Sequence, residues 1–391
     1  MFAKSTIGPD AVTPPWITNV RIADLDGDGR SDVLACDARL NTVWWYRQTP
    51  AGSWEEHRLG EDLVAPAHAT VVDLDGDGRN DVLVAELGSI WPEDGVIGRV
   101  ILLKNVTEAA GKGTPRFEKR VVLDDVRRVS DVQAGDLNGD GRIDLVVAAF
   151  GYDRGEVLWL ENMGDLKFRD HSLHSAPGAI HVPLADFNRD GRTDIVTIVS
   201  QDEEELWGFE NVGEGKFQSR KLWSTPNFDL GSAGLVADDL DQDGLIDLVL
   251  PVGDNLEDIN SYPQPYHGCL WFRNRGDWTF DVQRIATFGG TYAAAVGDLN
   301  GDRHRDVVLV SMFNDWDDPR HASIIWLEND GKQNFRPWQI DEKPTHLVTV
   351  DCGDLNGDGR DDIVAGGLHL TSPFDRLGRM TSWSPTTKGT P

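Results

Sequence analysis

Nine-residue stretches of the form Asp-x-(Asp/Asn)-x-Asp-x-x-x-Asp occur seven times in the 391 residues, six of them with glycine at position 6, spaced so that the oxygens of each can close around one hard cation. Calcium takes about 6–8 oxygens at about 2.3–2.6 Å. Side chains at positions 1, 3, 5 and 9 and the carbonyl of position 7 supply such a set, and glycine at position 6 permits the left-handed turn. The first two ligand sets are Asp24, Asp26, Asp28, Arg30 and Asp32, then Asp73, Asp75, Asp77, Arg79 and Asp81. The third and fourth are Asp136, Asn138, Asp140, Arg142 and Asp144, then Asp186, Asn188, Asp190, Arg192 and Asp194. The fifth is Asp239, Asp241, Asp243, Leu245 and Asp247. The last two are Asp298, Asn300, Asp302, His304 and Asp306, then Asp354, Asn356, Asp358, Arg360 and Asp362. One such turn is readily a metal-free acidic loop. Seven with the same spacing imply a counter-ion, because carboxylates this close repel one another. The sixth copy has Arg303 at the glycine position, a strained choice, so its site is expected to be the weakest or empty.

A second group of chemistry-bearing residues appears five places before each first aspartate: Asn19, His68, Asp131, His181, Gly234, Ala293 and Thr349. Three places before it, Arg21, Thr70, Gln133 and Asp351 add polar groups, and Tyr292 and His346 lie close by. His68, Asp131 and His181 in consecutive repeats suit an acid/base group or a site for a further divalent metal. The plainer reading is solvated channel residues hydrogen-bonded to backbone. Longer loops carry aromatic, acidic and basic residues: Trp91; Tyr152 and Arg154; Glu257, Asp258 and Tyr262; Trp316; His369, Phe374, Asp375 and Arg376. Flat rings beside polar groups suit sugar recognition, and equally suit ordinary turns.

The elements that must position these residues follow from periodicity. The first aspartates stand 49, 63, 50, 53, 59 and 56 residues apart, about the length of a four-stranded propeller blade. Before each loop the residues at −4 and −2 are apolar, from Val20 and Ile22 to Val350 and Cys352, the period of a half-buried strand. After each loop a continuous apolar run, such as 145–148, reads as a strand buried on both faces. Trp159, Trp271 and Trp326 precede Asn162, Asn274 and Asn329 by three, and an Asn-x-Gly hairpin then leads to a strand opened by phenylalanine. The expected fold is all-β, a single seven-bladed β-propeller over 1–391 with the loop between strands one and two of each blade. Blade cores start near 17, 66, 129, 179, 232, 291 and 347. The last unit lacks a fourth strand, so residues 1–10 are expected to complete it and close the ring.

Loops, aromatic third strand and Asn-x-Gly hairpin together resemble the FG-GAP/VCBS repeat family, which includes the integrin α-subunit propeller. The resemblance covers nearly the whole chain. It implies structural calcium at the loop residues above, up to seven ions, and ligand binding on the face opposite the loops. It fixes fold far better than function.

Composition narrows the partners. The formal charge is −29, which disfavours nucleic acid and anionic membranes. The loops hold 24 acidic ligand side chains, and seven calcium ions would bring the charge to −15. No apolar run is long enough to span a membrane. Cys36, Cys269 and Cys352 are too few for a disulfide framework and read as small hydrophobes. The start at Met1 shows no leader, yet many calcium loops favour an extracytoplasmic setting, secreted or periplasmic.

Two functional readings follow. The first is a calcium-stabilised, carbohydrate-active propeller, in its enzymatic form a carbon–oxygen lyase or sugar dehydratase, similar in architecture to propeller polysaccharide lyases. There His68 or His181 is the base, Tyr292 protonates the leaving oxygen, and Arg21 or a metal on His68, Asp131 and His181 holds the anion. Asn19, Asp131, Trp91, Tyr152, Arg154, Tyr262, Trp316, His346 and His369 would contact the sugar. The second is a non-catalytic extracellular module binding protein or glycan.

Overall fold

Seven antiparallel sheets form the blades of a propeller. The structure, a computed structural model, describes residues 1–107, 115–201, 203–227, 229–254, 262–318, 320–371 and 378–386. Among these there is no helix. Blade one shows the plan: Ile17–Ala23, Asp32–Asp37, Thr42–Gln48 and Trp54–Leu59, paired in chain order. The second strands, from Asp32–Asp37 to Asp362–Gly367, are buried throughout except at the last residues of blades three and four, Phe150 and Ser200, as their apolar runs require. The fourth strands are exposed on their outer faces and open on phenylalanine in Phe168–Ser175, Phe280–Thr287 and Phe335–Asp341.

The core lies between blades. Leu34, Cys36 and Trp45 of blade one pack against Val82, Val84, Ile101 and Leu103 of blade two, and the same layer recurs around the ring. Cys36 and Cys269 are buried, and burial pushes both thiols well up.

The ring closes as the strand count requires. Phe2–Asp10 pairs antiparallel with Gly378–Pro385 and completes the seventh sheet. Ile7 is fully buried beside Tyr46 and Met380, so the closing strand also touches blade one.

The first strands begin at Ile17, Pro66, Arg128, Ala179, Thr291 and Leu347 in six blades, and the fifth stands apart. Its first strand begins at Val236, not near 232, and pairs over three residues only. Gly234 lies at the expected onset, where glycine offers no side chain to hold an inner strand in place. Pro183 likewise divides the inner strand of blade four into Ala179–His181 and Leu184–Ala185.

Candidate functional site

The acidic turns share one geometry. Position 6 is left-handed in all seven, including Arg303 at φ 71°, where the others have glycine. Position 4 is left-handed as well, at Gly27, Gly76, Gly139, Arg189, Gln242, Gly301 and Gly357. Glycine at five of these seven positions was the available signal. The position-1 carboxylate accepts amides across the turn, as Asp24 does from Asp28 at 3.1 Å and Gly29 at 2.8 Å. The position-9 carboxylates are fully buried. Each takes the amide of position 2, and in six blades also that of the third-strand Asn or Gln; Asp247 accepts from Leu240 and Asn274. Carboxylate oxygens of Asp24, Asp26 and Asp32 come within 4.8 Å of one another, as do those of Asp73, Asp75 and Asp77 and those of Asp239, Asp241 and Asp247. Hard oxygens gathered on a tight turn are a donor set that fits calcium.

These three loops are the ones with aspartate at position 3, and each meets a base from its own third strand. Arg47 pairs with Asp26, Lys104 with Asp75 and Arg273 with Asp241. Where position 3 is Asn138, Asn188 or Asn300, the matching residue is Glu161, Glu210 or Glu328. The seventh blade has Asn356 and Ser384.

At the axis, the inner strand of each blade presents backbone groups that its own sheet leaves free, and neighbouring side chains take them up. Thr349 Oγ1 accepts from Val20 N at 2.9 Å, Asn19 Oδ1 from Ala69 N at 3.1 Å and Asp131 Oδ2 from Val182 N at 3.0 Å. Asp351 accepts from Ile22 N at 2.8 Å, Thr70 donates to the Val132 carbonyl at 2.7 Å, and His181 Nε2 lies 3.1 Å from the Ala233 carbonyl. Most polar residues read as a channel lining therefore stitch adjacent blades together.

His68, Asp131 and His181 do meet. His68 Nδ1 lies 3.1 Å from Asp131 Oδ1, and His181 Nδ1 lies 3.5 Å from Oδ2 of the same carboxylate. Gln133 donates to Oδ1 at 2.9 Å. The imidazoles flank one carboxylate on opposite oxygens, without the converging ligand atoms seen in the loops. Burial opposes a charge on Asp131, but His68, His181 and the Val182 amide outweigh it and hold the carboxyl below its usual range. Burial pushes His68 down to about 4, with Asp131 opposing and His181 and Arg21 reinforcing the shift. His68 is thus neutral near pH 7 and too weakly basic to match a general base.

These residues line a cavity of about 540 Å³ on the axis, within the roughly 300–1,000 Å³ usual for small-ligand sites. One wall is polar: Asn19, Arg21, His68, Arg128, Asp131, Gln133 and His181. The facing wall, from blades five to seven, is mainly apolar, with Leu235, Ala237, Ala293, Ala294, Val348 and Val350, and carries Asp254, Tyr292 and Thr349 among them. Trp91 stands over the rim, 58% exposed, edge-on to Trp16. Phe150 and Tyr152 form a second aromatic corner.

The sequence-derived site residues divide accordingly. Asn19, Arg21, His68, Trp91, Asp131, Tyr152, His181 and Tyr292 line the cavity. Arg154, Tyr262, Trp316, His346 and His369 are not in its lining; His346 and His369 are buried, with Trp316 packed on His346. Glu257, Asp258, Phe374, Asp375 and Arg376 lie outside the described residues. Sequence reasoning missed Arg128 and Phe150, which face each other across the first two strands of blade three. Arg128 sits eight places before its loop aspartate, and extending the count to that position would have found it.

Comparisons with known proteins agree with this architecture. Residues 24–84, 136–197, 186–250 and 298–365 match the sequence model described as FG-GAP-like repeat. Each match starts at one acidic turn and runs through the next, so all seven turns are covered. A Plasmodium falciparum (isolate 3D7) protein named T-cell immunomodulatory protein homolog is 23% identical over 261 residues, 59% of this chain. The chain spans 36% of that relative's length. A solved streptogramin B lyase superposes with a TM-score of 0.57 at 14% identity, covering 98% of both chains. BBS1N, solved in complex with ARL6DN and soaked with mercury, gives 0.54 at 10% identity, covering 100% of this chain and 98% of that one. At such identities the two structures share the fold alone.

Proposed function

The chain belongs to the FG-GAP-like repeat family, and on that premise we propose that it is a non-catalytic binding module that takes carbohydrate in its axial cavity and holds calcium in its acidic turns. The observation that carries the reading is the two-sided cavity. Hydroxyl groups of a sugar match the polar wall, and its C–H face matches the apolar wall and the aromatic rim. Binding is favoured over elimination because the groups needed for proton transfer are engaged elsewhere. His181 bridges Asp131 and the Ala233 carbonyl, and burial suppresses the basicity of His68. The relative's name points the same way, since it describes an effect on cells and no reaction.

Calcium fits the turns chemically. Burial raises Asp194, Asp247 and Asp306 to about 7 and Asp32 to about 6, and a divalent ion beside them would keep them ionised. Weak, numerous calcium sites suit the millimolar calcium of an extracytoplasmic space. No helix among the described residues is long and apolar enough to cross a membrane.

The test is titration of the calcium-loaded protein with a panel of neutral and acidic oligosaccharides, followed by calorimetry and by analysis of the recovered sugar. Saturable binding with the sugar returned intact is expected, and Trp91→Ala should weaken it several-fold. Conversion of the sugar would reinstate the lyase reading, and failure of the whole panel to bind would remove carbohydrate as the ligand class.

A further inference from the structure

Resting on the carbohydrate reading, we infer that the ligand of the axial cavity carries a carboxylate, as a uronate does, and that Arg128 receives it. Arg128 opens the strand Arg128–Gly135 and lines the cavity, yet it is only 7% exposed. Its Nε is shut off from solvent without an acceptor, and among the described residues its guanidinium makes no ion pair. Its neighbours are aromatic: the guanidinium carbon lies 5.3 Å from the centre of Phe150 and 5.9 Å from that of Tyr152. Two rings at right angles to each other fix the cation's place while its Nε donor stays without an acceptor.

Scarcity of acid does not explain this. The chain has 66 acidic residues against 37 basic ones, and other partly buried bases pair readily, Arg99 with Glu86 and Arg379 with Glu56. A buried cation without a counter-charge is costly to the fold. The cost is recovered when a ligand supplies the anion, and a guanidinium fork matches the two oxygens of a carboxylate. Arg21 adds a second cation to the same wall. Of the acidic residues in the lining, Asp131 is occupied by two imidazoles, Gln133 and the Val182 amide, and Asp254 has interactions of its own.

The experiment compares glucuronate and galacturonate oligomers with their neutral counterparts and with glucose 6-phosphate, on wild type, Arg128→Met and Arg128→Lys. Uronates should bind at least about tenfold tighter than neutral sugars in wild type. R128M should lose about 10- to 100-fold for uronates, the size of a charge-assisted hydrogen bond, and at most a few-fold for neutral sugars. R128K should fall between. Without ligand, R128M should melt no lower than wild type, because it removes an unpaired buried charge. Equal affinity for acidic and neutral sugars overturns the inference and leaves the carbohydrate reading standing. So does preference for the phosphate, or an R128M protein that binds uronates normally. If neither acidic nor neutral sugars bind, the carbohydrate reading falls, and the inference with it.

Discussion

At the scale of single residues, burial decides which groups are available for chemistry. His267 is a clean instance. It is fully buried, and its Nδ1 accepts the amides of Gly290 at 3.0 Å and Gln264 at 3.2 Å, so that nitrogen carries no proton. Burial, reinforced by Arg284, pushes the group down to about 4. Its folded pKa therefore lies below the value of about 6.5 in the unfolded chain. As pH falls, the unfolded chain takes up the proton first, so the contribution is complete above pH 6.5 and declines between pH 6.5 and 4. The loss should be on the order of 2 kcal/mol. Urea melts at pH 7 and pH 5 should show it in wild type and much less in His267→Gln; equal pH slopes in the two proteins would refute it. The axial side chains obey the same logic. Their polarity was readable from the seven aligned positions, but their partners were not. Asn19 binds Ala69 and Asp131 binds Val182, amides about fifty residues away whose register only the assembled ring defines. Arg128 stood within reach of the same positional count, eight places before Asp136, but its isolation from any counter-charge is a property of the fold.

At the scale of the blade, the repeat was legible because its periods are local. Strand alternation, turn glycines and the Asn-x-Gly hairpin each act within a few residues, and the strands appear where those periods place them. What was not legible is that the asparagine works between blades. Asn274 Nδ2 donates to its own blade at Ile246 O, 2.9 Å, and to the preceding blade at Phe187 O, 2.8 Å. Asn211 reaches Leu137 and Asn329 reaches Leu240 in the same way. Asn162 instead donates within its own blade, to Ile143 O at 2.9 Å. Asn274→Ala should therefore cost more than Asn162→Ala, by about 1 kcal/mol, the usual net worth of one buried hydrogen bond. Denaturant melts of the two variants provide the measurement, and equal losses would show that the inter-blade bond contributes nothing. The exchange of Asp–base for Asn–Glu between loop and third strand belongs to this scale too. The three extra loop carboxylates are each paired with a base, Arg47, Lys104 or Arg273, whereas three of the loops with asparagine there stand beside a glutamate instead.

At the scale of the whole molecule, the seven turns sit on a chain of charge −29 whose closure depends on Phe2–Asp10 joining Gly378–Pro385. Because each core layer is shared by adjacent blades, loosening one turn exposes apolar surface in two sheets. Ion loss should then be felt cooperatively. A single site held at a hundred times its Kd contributes about 2.7 kcal/mol, so three such sites would contribute about 8 kcal/mol, comparable to the total stability of many domains. EDTA should lower the Tm by about 10 °C in a single transition, and added calcium should restore it. The charge argument also predicts that chelation is more damaging at low ionic strength, where the bared carboxylates repel without screening. Lys104→Ala sharpens the test. It leaves Asp75 without its base and Asp77 with Arg79 alone, so the variant should lose more stability than wild type in EDTA and recover more of it in calcium. A ring that melts at one temperature with and without chelator, in wild type and variant alike, would mean that the turns hold their shape by hydrogen bonds alone. The stabilising role proposed for calcium would then have to be abandoned, while the axial site, built from inner-strand residues away from the turns, would remain to be judged on its own ligand.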